Sequence, residues 1–404
     1  MTAARGPLRP LYAQASGSPI RAMLALAGRE GMVSLAGGHP DPALLPADWL
    51  RESLLEVAGQ LQGRSLQYGA TEGLAALREA SAALLQQRGL AAQAEGLLIT
   101  TGSQQAIDLL ARVLVEPGEG VAVESFNYPA ALQAFRFAGA RLVEVPTDAQ
   151  GMDVDRLEAI LQAERPRMLY VVPNFANPTG AVMPVGRRLR LLDLAAQYGV
   201  TLIEDDPYGE LWFDAAPPPS LAQLNQQAGS PAQVAYMTSY SKVVAPALRL
   251  GVLLAPAGIA RGVVLAKQAA DVHSGSLEQL TLAAMLASGR LGAHLDALRP
   301  AYAAKGRALA EALRAHCGLL EFDEPQGGMF IWAKLSSALP LLPTQAWVDF
   351  GLQHQVLVVP GAAFSISGAA QPWLRLSFAN PAPEALRQGA ERLGRGLRSL
   401  ATAH

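Results

Sequence analysis

A chain of 404 residues, half of them hydrophobic and 16% charged, is too long for one ordinary domain and apolar enough for a large core. Its 34 acidic and 32 basic residues leave a formal net charge of −2, which removes any general electrostatic reason to bind nucleic acid or an anionic membrane. A single cysteine, Cys317, excludes an intramolecular disulfide, and six histidines that never fall at a spacing such as H-x-x-x-H argue against a metal site.

In chain order, MTAARGPLRPLYAQASGS has no apolar core of signal-peptide length, and no later run reaches the roughly eighteen apolar residues of a membrane span. A cytoplasmic, reducing setting is therefore expected, with Cys317 a small buried hydrophobe. Residues 1–40 hold too little apolar pattern for a domain of their own and are expected to pack on the second domain. Short apolar runs then alternate with amphipathic stretches. GLLITTGS leads into QQAIDLLARVL, GVAVES into PAALQAFRFAG, ARLVEVP into VDRLEAILQAE, and MLYVVPN into VGRRLRLLDLAAQYG and VTLIEDD. Runs rich in β-branched residues between segments of helical spacing predict an α/β fold, a mostly parallel doubly wound sheet covered on both faces. From about Leu282 the texture changes to a long helix interrupted near Gly289 and Pro300, then strands in GGMFIWAKL, VLVVPG and WLRLSF with flanking helices. This predicts a smaller α+β domain from 287–404 with 1–40, and a large domain over 41–286.

The segment TSYSKVVAPALRLG carries the most chemistry. Lys242 follows a predicted strand in an apolar, small-residue setting, where desolvation would lower its pKa and free a nucleophilic amine. Ser239, Ser241 and Arg249 supply the hydroxyls and guanidinium that a phosphate monoester needs, at about 1.5–3 kcal/mol per charge-assisted bond. Taken alone, the segment is better read as a surface lysine beside a turn. Three further segments ask for the same ligand. In ITTGSQQAIDLL, Gly102-Ser103-Gln104 opens a helix whose N-terminus favours an anion, although Ser103 also suits a plain helix cap. In VTLIEDDPYGELWF, Asp205 ends a buried run, with Tyr208 three residues on. A buried carboxylate needs a partner such as a pyridinium nitrogen, unless Glu204-Asp205-Asp206 is a surface acidic cluster. In LYVVPNFANPTG, a turn brings Asn177 to the sheet's C-terminal edge, where open α/β sheets bind ligands. Each segment places a polar group just after a predicted strand, at one edge of one sheet.

With these residues in view, the order Y-x-x-x-x-G (Tyr68 to Gly73), T-G-S-Q-Q-A, N-P-T-G, D-x-x-Y, S-x-S-K-x-x-x-P-x-L-R-L-G and L-R-L-S-F resembles the fold-type I, class I/II aminotransferases over essentially the whole chain from residue 14. AQASGSPIRAML, SLAGGHPDPALLP and AKQAADVHSG make it most similar to the 2-aminoadipate and kynurenine aminotransferase subgroup. The resemblance implies pyridoxal 5'-phosphate carried on Lys242, which would also serve as general acid/base. It implies Asp205 at the pyridine nitrogen, Asn177 and Tyr208 at the phenolic oxygen, and Tyr128 stacked on the ring. Ser103, Gln104, Ser239, Ser241 and Arg249 would hold the phosphate, helped by Tyr68 reaching across a homodimer. Arg375 would clamp the α-carboxylate, with Asn177 and Gly38 beside it. Arg21 projects off the apolar face of Ile20, Met23, Leu24 and Ala27; the same likeness would set it on the distal carboxylate of glutamate, 2-oxoglutarate or 2-aminoadipate, against a plain solvated arginine.

The expected reaction moves an amino group between an L-amino acid (2-aminoadipate, aromatic or branched-chain) and a 2-oxo acid, by ping-pong kinetics. A β-lyase, decarboxylase or racemase would use the same constellation, and an amino-acid-sensing module would use the fold without its chemistry. Two departures stand out. Ala176 replaces a glutamine common before the N-P-T-G asparagine, and His39 in GGHP replaces a commoner apolar residue, either facing solvent or altering side-chain preference.

Overall fold

The computed structural model of the protein describes residues 8, 10–13 and 19–402, so stretch 14–18 of the AQASGSPIRAML motif lies outside the described residues. In chain order the strands are β1 (Val33–Ser34), β2 (Leu97–Thr100), β3 (Gly120–Glu124), β4 (Arg141–Val145), the hairpin β5 and β6 (Thr147–Asp148, Gly151–Met152), β7 (Met168–Val171), β8 (Thr201–Asp205), β9 (Val234–Ser239) and β10 (Gly251–Leu254). They continue with β11 (Leu320–Phe322), β12 (Phe330–Leu335), β13 (Val356–Leu357), β14 (Val359–Pro360) and β15 (Trp373–Ser377). The central sheet has the order β2-β10-β9-β8-β7-β3-β4. Strands β9, β8, β7, β3 and β4 run parallel, while β10 is antiparallel to both its neighbours. The C-terminal ends of β2, β3, β7, β8 and β9 therefore share one edge.

Strand periodicity explains why the predicted strands read as unbroken apolar runs. Successive residues point to opposite faces, and both faces are covered. Leu97, Ile99, Ala122, Leu169, Leu202 and Val252 join one core, against Leu157, Leu191 and Leu221 of helices Val154–Glu164, Val185–Tyr198 and Leu221–Ala228. Their neighbours Leu98, Val121, Val123, Met168, Ile203 and Leu253 join the other, against Ile107, Leu110 and Phe135 of helices Ser103–Leu114 and Pro129–Phe137. The α/β class follows directly from this alternation.

A second sheet, β11-β12-β15-β14, carries Arg375. The N-terminal segment joins that side: Val33 pairs in parallel with Val356, and Ser377 donates its N–H to the Leu35 carbonyl at 2.7 Å. One predicted break is corrected. Helix Ser276–Ala287 does end before Gly289, but Leu291–His316 runs unbroken through Pro300. Proline in a helix interior costs about 3 kcal/mol. Pro300 and Asp296, whose carbonyl loses its partner, are both exposed, so water can serve that carbonyl. Burial of Leu295, Leu298, Tyr302 and Leu309 holds the helix together. Cys317 is buried, its thiol pushed up to about 12 by burial. No helix among the described residues is long and apolar enough to cross a membrane.

Candidate active site

The shared strand edge collects the polar groups that the sequence singled out. Lys242 follows β9 and donates from Nζ to the Gly38 carbonyl at 2.9 Å. Burial lowers its pKa to about 8, and the cations of Arg375 and Arg249 add to the shift. The other three lysines of the chain differ: Lys267 and Lys305 are buried against Asp271 and Asp41, and Lys334 is exposed. Lys242 is thus the one enclosed lysine without a carboxylate partner among the described residues.

Around it, β2 leads into Gly102, which has φ 76° and a conformation that favours glycine. A Cβ there would lie 2.7 Å from a terminal nitrogen of Arg249, so the glycine lets that guanidinium close the turn. Gly102, not Ser103, is the N-cap residue of helix Ser103–Leu114, and the buried Ser103 Oγ has no partner among the described residues. The plain-cap reading of Ser103 therefore fails, and its hydroxyl remains available beside open helix N–H groups. Ser239 Oγ bonds Ser241 Oγ at 3.0 Å, and Arg249 reaches Ser241 Oγ at 3.5 Å and the Thr101 carbonyl at 3.4 Å. Gln104 donates to the Ala130 carbonyl at 3.2 Å, leaving Oε1 buried and unpaired.

Alternation along β8 sorts the acidic run. Glu204 points to one face, where it accepts from the N–H groups of Leu221 and Ala222 at 2.8 and 2.9 Å, as a buried cap on helix Leu221–Ala228. Asp205 points to the other, accepting from the Tyr170 hydroxyl at 2.6 Å while its second oxygen is buried and unpaired. Burial raises Asp205 to about 7. The surface-cluster alternative is excluded, since Glu204 and Asp205 are buried. Tyr208 is buried with its phenol pushed up by desolvation, eased in part by Arg375 and a hydrogen bond with Asn177. Tyr128 feels burial first, then the charges of Asp205, Arg249, Arg375 and Arg21.

Arg375 is the most telling group. It is 2% exposed and has no acidic partner among the described residues. It donates to Asn177 Oδ1 at 2.9 Å and the Ala36 carbonyl at 2.6 Å, its Nε is unpaired, and Phe330 and Phe364 flank its plane at 4.3 and 4.9 Å. Burial lowers its pKa to about 10. A buried cation this poor in counter-charge is costly until an anion arrives. A Cβ at Gly38 would lie 3.1 Å from Phe330, so glycine there spares the aromatic wall.

Three residues stand apart. Arg21 lies exposed on helix Pro19–Leu26, whose Met23 is buried, yet its charge reaches Tyr128. His39 is exposed, as a solvent-facing loop histidine would be, yet its pKa is lowered by desolvation and then by the charges of Lys242 and Arg375. Tyr68 is 82% exposed, edge-on to His273 at 5.9 Å, and makes no side-chain hydrogen bond to the cluster among the described residues.

The pattern of the family described as aminotransferase class I and II matches residues 31–393. The chain belongs to that family. It is 39% identical to the 2-aminoadipate transaminase of Thermus thermophilus over 384 residues, 95% of this chain and 94% of the relative. It is 29% identical to the mitochondrial kynurenine/alpha-aminoadipate aminotransferase of Rattus norvegicus, covering 95% and 96% of the two chains. Its fold matches the solved alpha-aminoadipate aminotransferase of Thermus thermophilus in complex with N-(5'-phosphopyridoxyl)-L-leucine, with TM-score 0.90, 36% identity and 98% coverage of both chains.

This aminotransferase uses pyridoxal 5'-phosphate, and its fold is the fold-type I architecture. The site fits the cofactor on its own evidence. Buried polar atoms without partners cluster here: Ser103 Oγ, Gln104 Oε1, Asn127 Nδ2, Asp205 Oδ1 and Arg375 Nε. Buried polar groups are almost always satisfied, so such a cluster marks a ligand's place. Sequence reasoning missed Tyr170, which reads as one more core aromatic in MLYVV, and the flanking Phe330 and Phe364, which lie far from Arg375 or in unremarkable runs.

Proposed function

We propose that this transaminase works through the strand-edge cluster, with Lys242 as the cofactor-bearing base, Asp205 facing the ring nitrogen, Asn177 and Tyr208 the phenolic oxygen, and Tyr128 the ring face. Ser103, Gln104, Ser239, Ser241 and Arg249 hold the phosphate. The observation that carries the reading is the buried, uncompensated Arg375 beside the Lys242 amine. It gives the α-carboxylate of an amino acid a bidentate seat, with Asn177 at one end and the Gly38 turn opposite. The bound cofactor supplies an electron sink for the charge left at the substrate's Cα. Lys242, its pKa lowered to about 8 by burial, takes and returns the Cα proton, a role worth about 10²–10⁴-fold. Arg375 orients the substrate so that this proton faces Nζ, and the aromatic walls of Phe330 and Phe364 keep water from the pair.

The same reading assigns a dimer in which Tyr68 serves the neighbouring subunit. It is supported by exposure of Leu54, Leu55, Leu61, Leu66 and Tyr68 along one stretch of chain. It divides the chain into a large domain, 41–286, and a small one, 1–40 with 287–404, supported by the β1–β13 pairing. A cytoplasmic location accords with one buried cysteine. Arg21, near Tyr128 yet exposed, is assigned to the distal carboxylate of 2-oxoglutarate, glutamate or 2-aminoadipate. The Thermus relative is named for 2-aminoadipate, and its solved counterpart holds a leucine adduct, so acidic and apolar side chains are both within the class proposed. Mixing the yellow enzyme with each common amino acid, 2-aminoadipate and kynurenine, and following loss of the cofactor's absorption band, tests the reading. Conversion by glutamate or 2-aminoadipate and by leucine is the expected result. A band unmoved by every amino acid would overturn it.

A further inference from the structure

The chain between Val33 and Asp41 is fastened at nearly every step to the small-sheet side of the molecule. Val33 and Ser34 pair with β13, the Leu35 carbonyl accepts from Ser377, and the Ala36 carbonyl accepts from Arg375. At Gly38 it turns the other way and meets Lys242. Just beyond, Asp41 is held by Lys305 of helix Leu291–His316. Lys305 is buried, and its ammonium has three acceptors: the Asp41 carboxylate, the Ala379 carbonyl at 2.9 Å and the Asn380 carbonyl at 3.4 Å. Ala379 and Asn380 follow Phe378, just past the end of the strand that bears Arg375. The other Asp41 oxygen accepts from the Ala43 N–H at 2.9 Å and caps the short helical turn Pro42–Leu44.

We propose that Lys305 and Asp41 are a positioning pair that fixes the Ala36–Gly38 segment between Arg375 and Lys242. One ammonium ties the end of the segment to the end of the Arg375 strand, so the Gly38 carbonyl and the guanidinium keep a set spacing. Three acceptors around one buried nitrogen leave it little freedom, and a half-satisfied arrangement would be unfavourable, which makes the spacing stiff. The pair touches neither substrate nor cofactor; it acts on Lys242 and Arg375 through Gly38 and Ala36. The inference rests on the proposed roles of those two residues.

Lys305→Met and Asp41→Asn, singly and together in the holoenzyme, test it. Asp41→Asn keeps the oxygen that caps Pro42–Leu44, so it stays informative should Lys305→Met fold poorly. Misplacing a reacting group by about 1 Å can cost about a hundredfold, so KM for the amino acid should rise about tenfold to a hundredfold in each variant. The double variant should match the singles rather than multiply them, because one contact is lost in all three. Cofactor affinity should stay near the parent's. A second readout is acylation of Lys242 in the apoprotein against pH, resolved by peptide mass among only four lysines. Loss of a fixed Gly38 carbonyl removes an acceptor that favours the ammonium form, so the profile should move to lower pH in both single variants. Parent-like KM and an unmoved profile would overturn the proposal, as would a loss confined to cofactor affinity. If Lys242→Ala and Arg375→Met also kept full activity, the site assignment itself would be at fault; if they lost it, only the positioning role would.

Discussion

The two sides of the proposed site are built in different ways. The proposed cofactor side is a row of strand ends: Gly102 after β2, Tyr128 after β3, Asn177 after β7, Asp205 ending β8, and Lys242 after β9. Each is placed by a short local motif on one rigid sheet. The proposed substrate side is assembled from distant pieces: Arg375 on β15, the Ala36–Gly38 segment, and Arg21 on an N-terminal helix. Its order depends on the long-range contact between Arg375 and Ala36. On the proposed assignment, cofactor chemistry is a property of one sheet edge, whereas substrate choice depends on how the Arg375 strand and the N-terminal segment meet.

The largest effect should come from the cofactor side. Lys242→Ala should abolish turnover in a steady-state assay with glutamate and a 2-oxo acid; retained transamination without added amine would break the comparison at its firmest point. Arg375→Met comes next. Losing one partner of a buried charge pair costs about 3–5 kcal/mol, so kcat/KM should fall by roughly two to four orders of magnitude. The apoprotein should lose little stability in a denaturant titration, because the deleted charge has no counter-ion among the described residues. A matching collapse of stability would make Arg375 a structural residue.

Asp205 sharpens the contrast through pH. Burial raises its pKa from 3.8 to about 7, so the folded apoprotein holds this proton more tightly than the unfolded chain. The group's contribution is therefore fully present below 3.8 and is lost as pH rises through about 7. Asp205→Asn should gain on the parent in unfolding free energy over that window, by a few kcal/mol at about 1.4 per pKa unit. A gap independent of pH would mean that Asp205 is not titrating in a dry site. The smallest effect concerns Arg21. Being exposed, it should contribute between a surface pair and a buried one, about tenfold in kcat/KM for glutamate. Leucine, with no distal charge, should be nearly unaffected by Arg21→Ala; equal losses would assign Arg21 to folding.

Legibility in the sequence followed the same division. Lys242, Asp205, Asn177 and the Gly102 turn were readable because strand, turn and polar residue are contiguous. The alternation that sends Asp205 and Glu204 to opposite faces was implicit in the strand period, but that both carboxylates are buried required the covering helices. Tyr170 was hidden because a hydroxyl serving a carboxylate 35 positions away leaves no local mark. The link from Arg375 to Ala36 spans 339 positions, and nothing in either segment announces it. Pro300 misled because local helix rules ignore the packing of Leu295, Leu298 and Tyr302.

The central claim is that one sheet edge presents one lysine to the cofactor, and the chain has only four lysines among which to choose. Borohydride reduction of the cofactor-loaded enzyme, followed by peptide mass mapping, decides it. The account predicts a single phosphopyridoxyl modification, on Lys242. Modification of Lys267, Lys305 or Lys334 instead would contradict it.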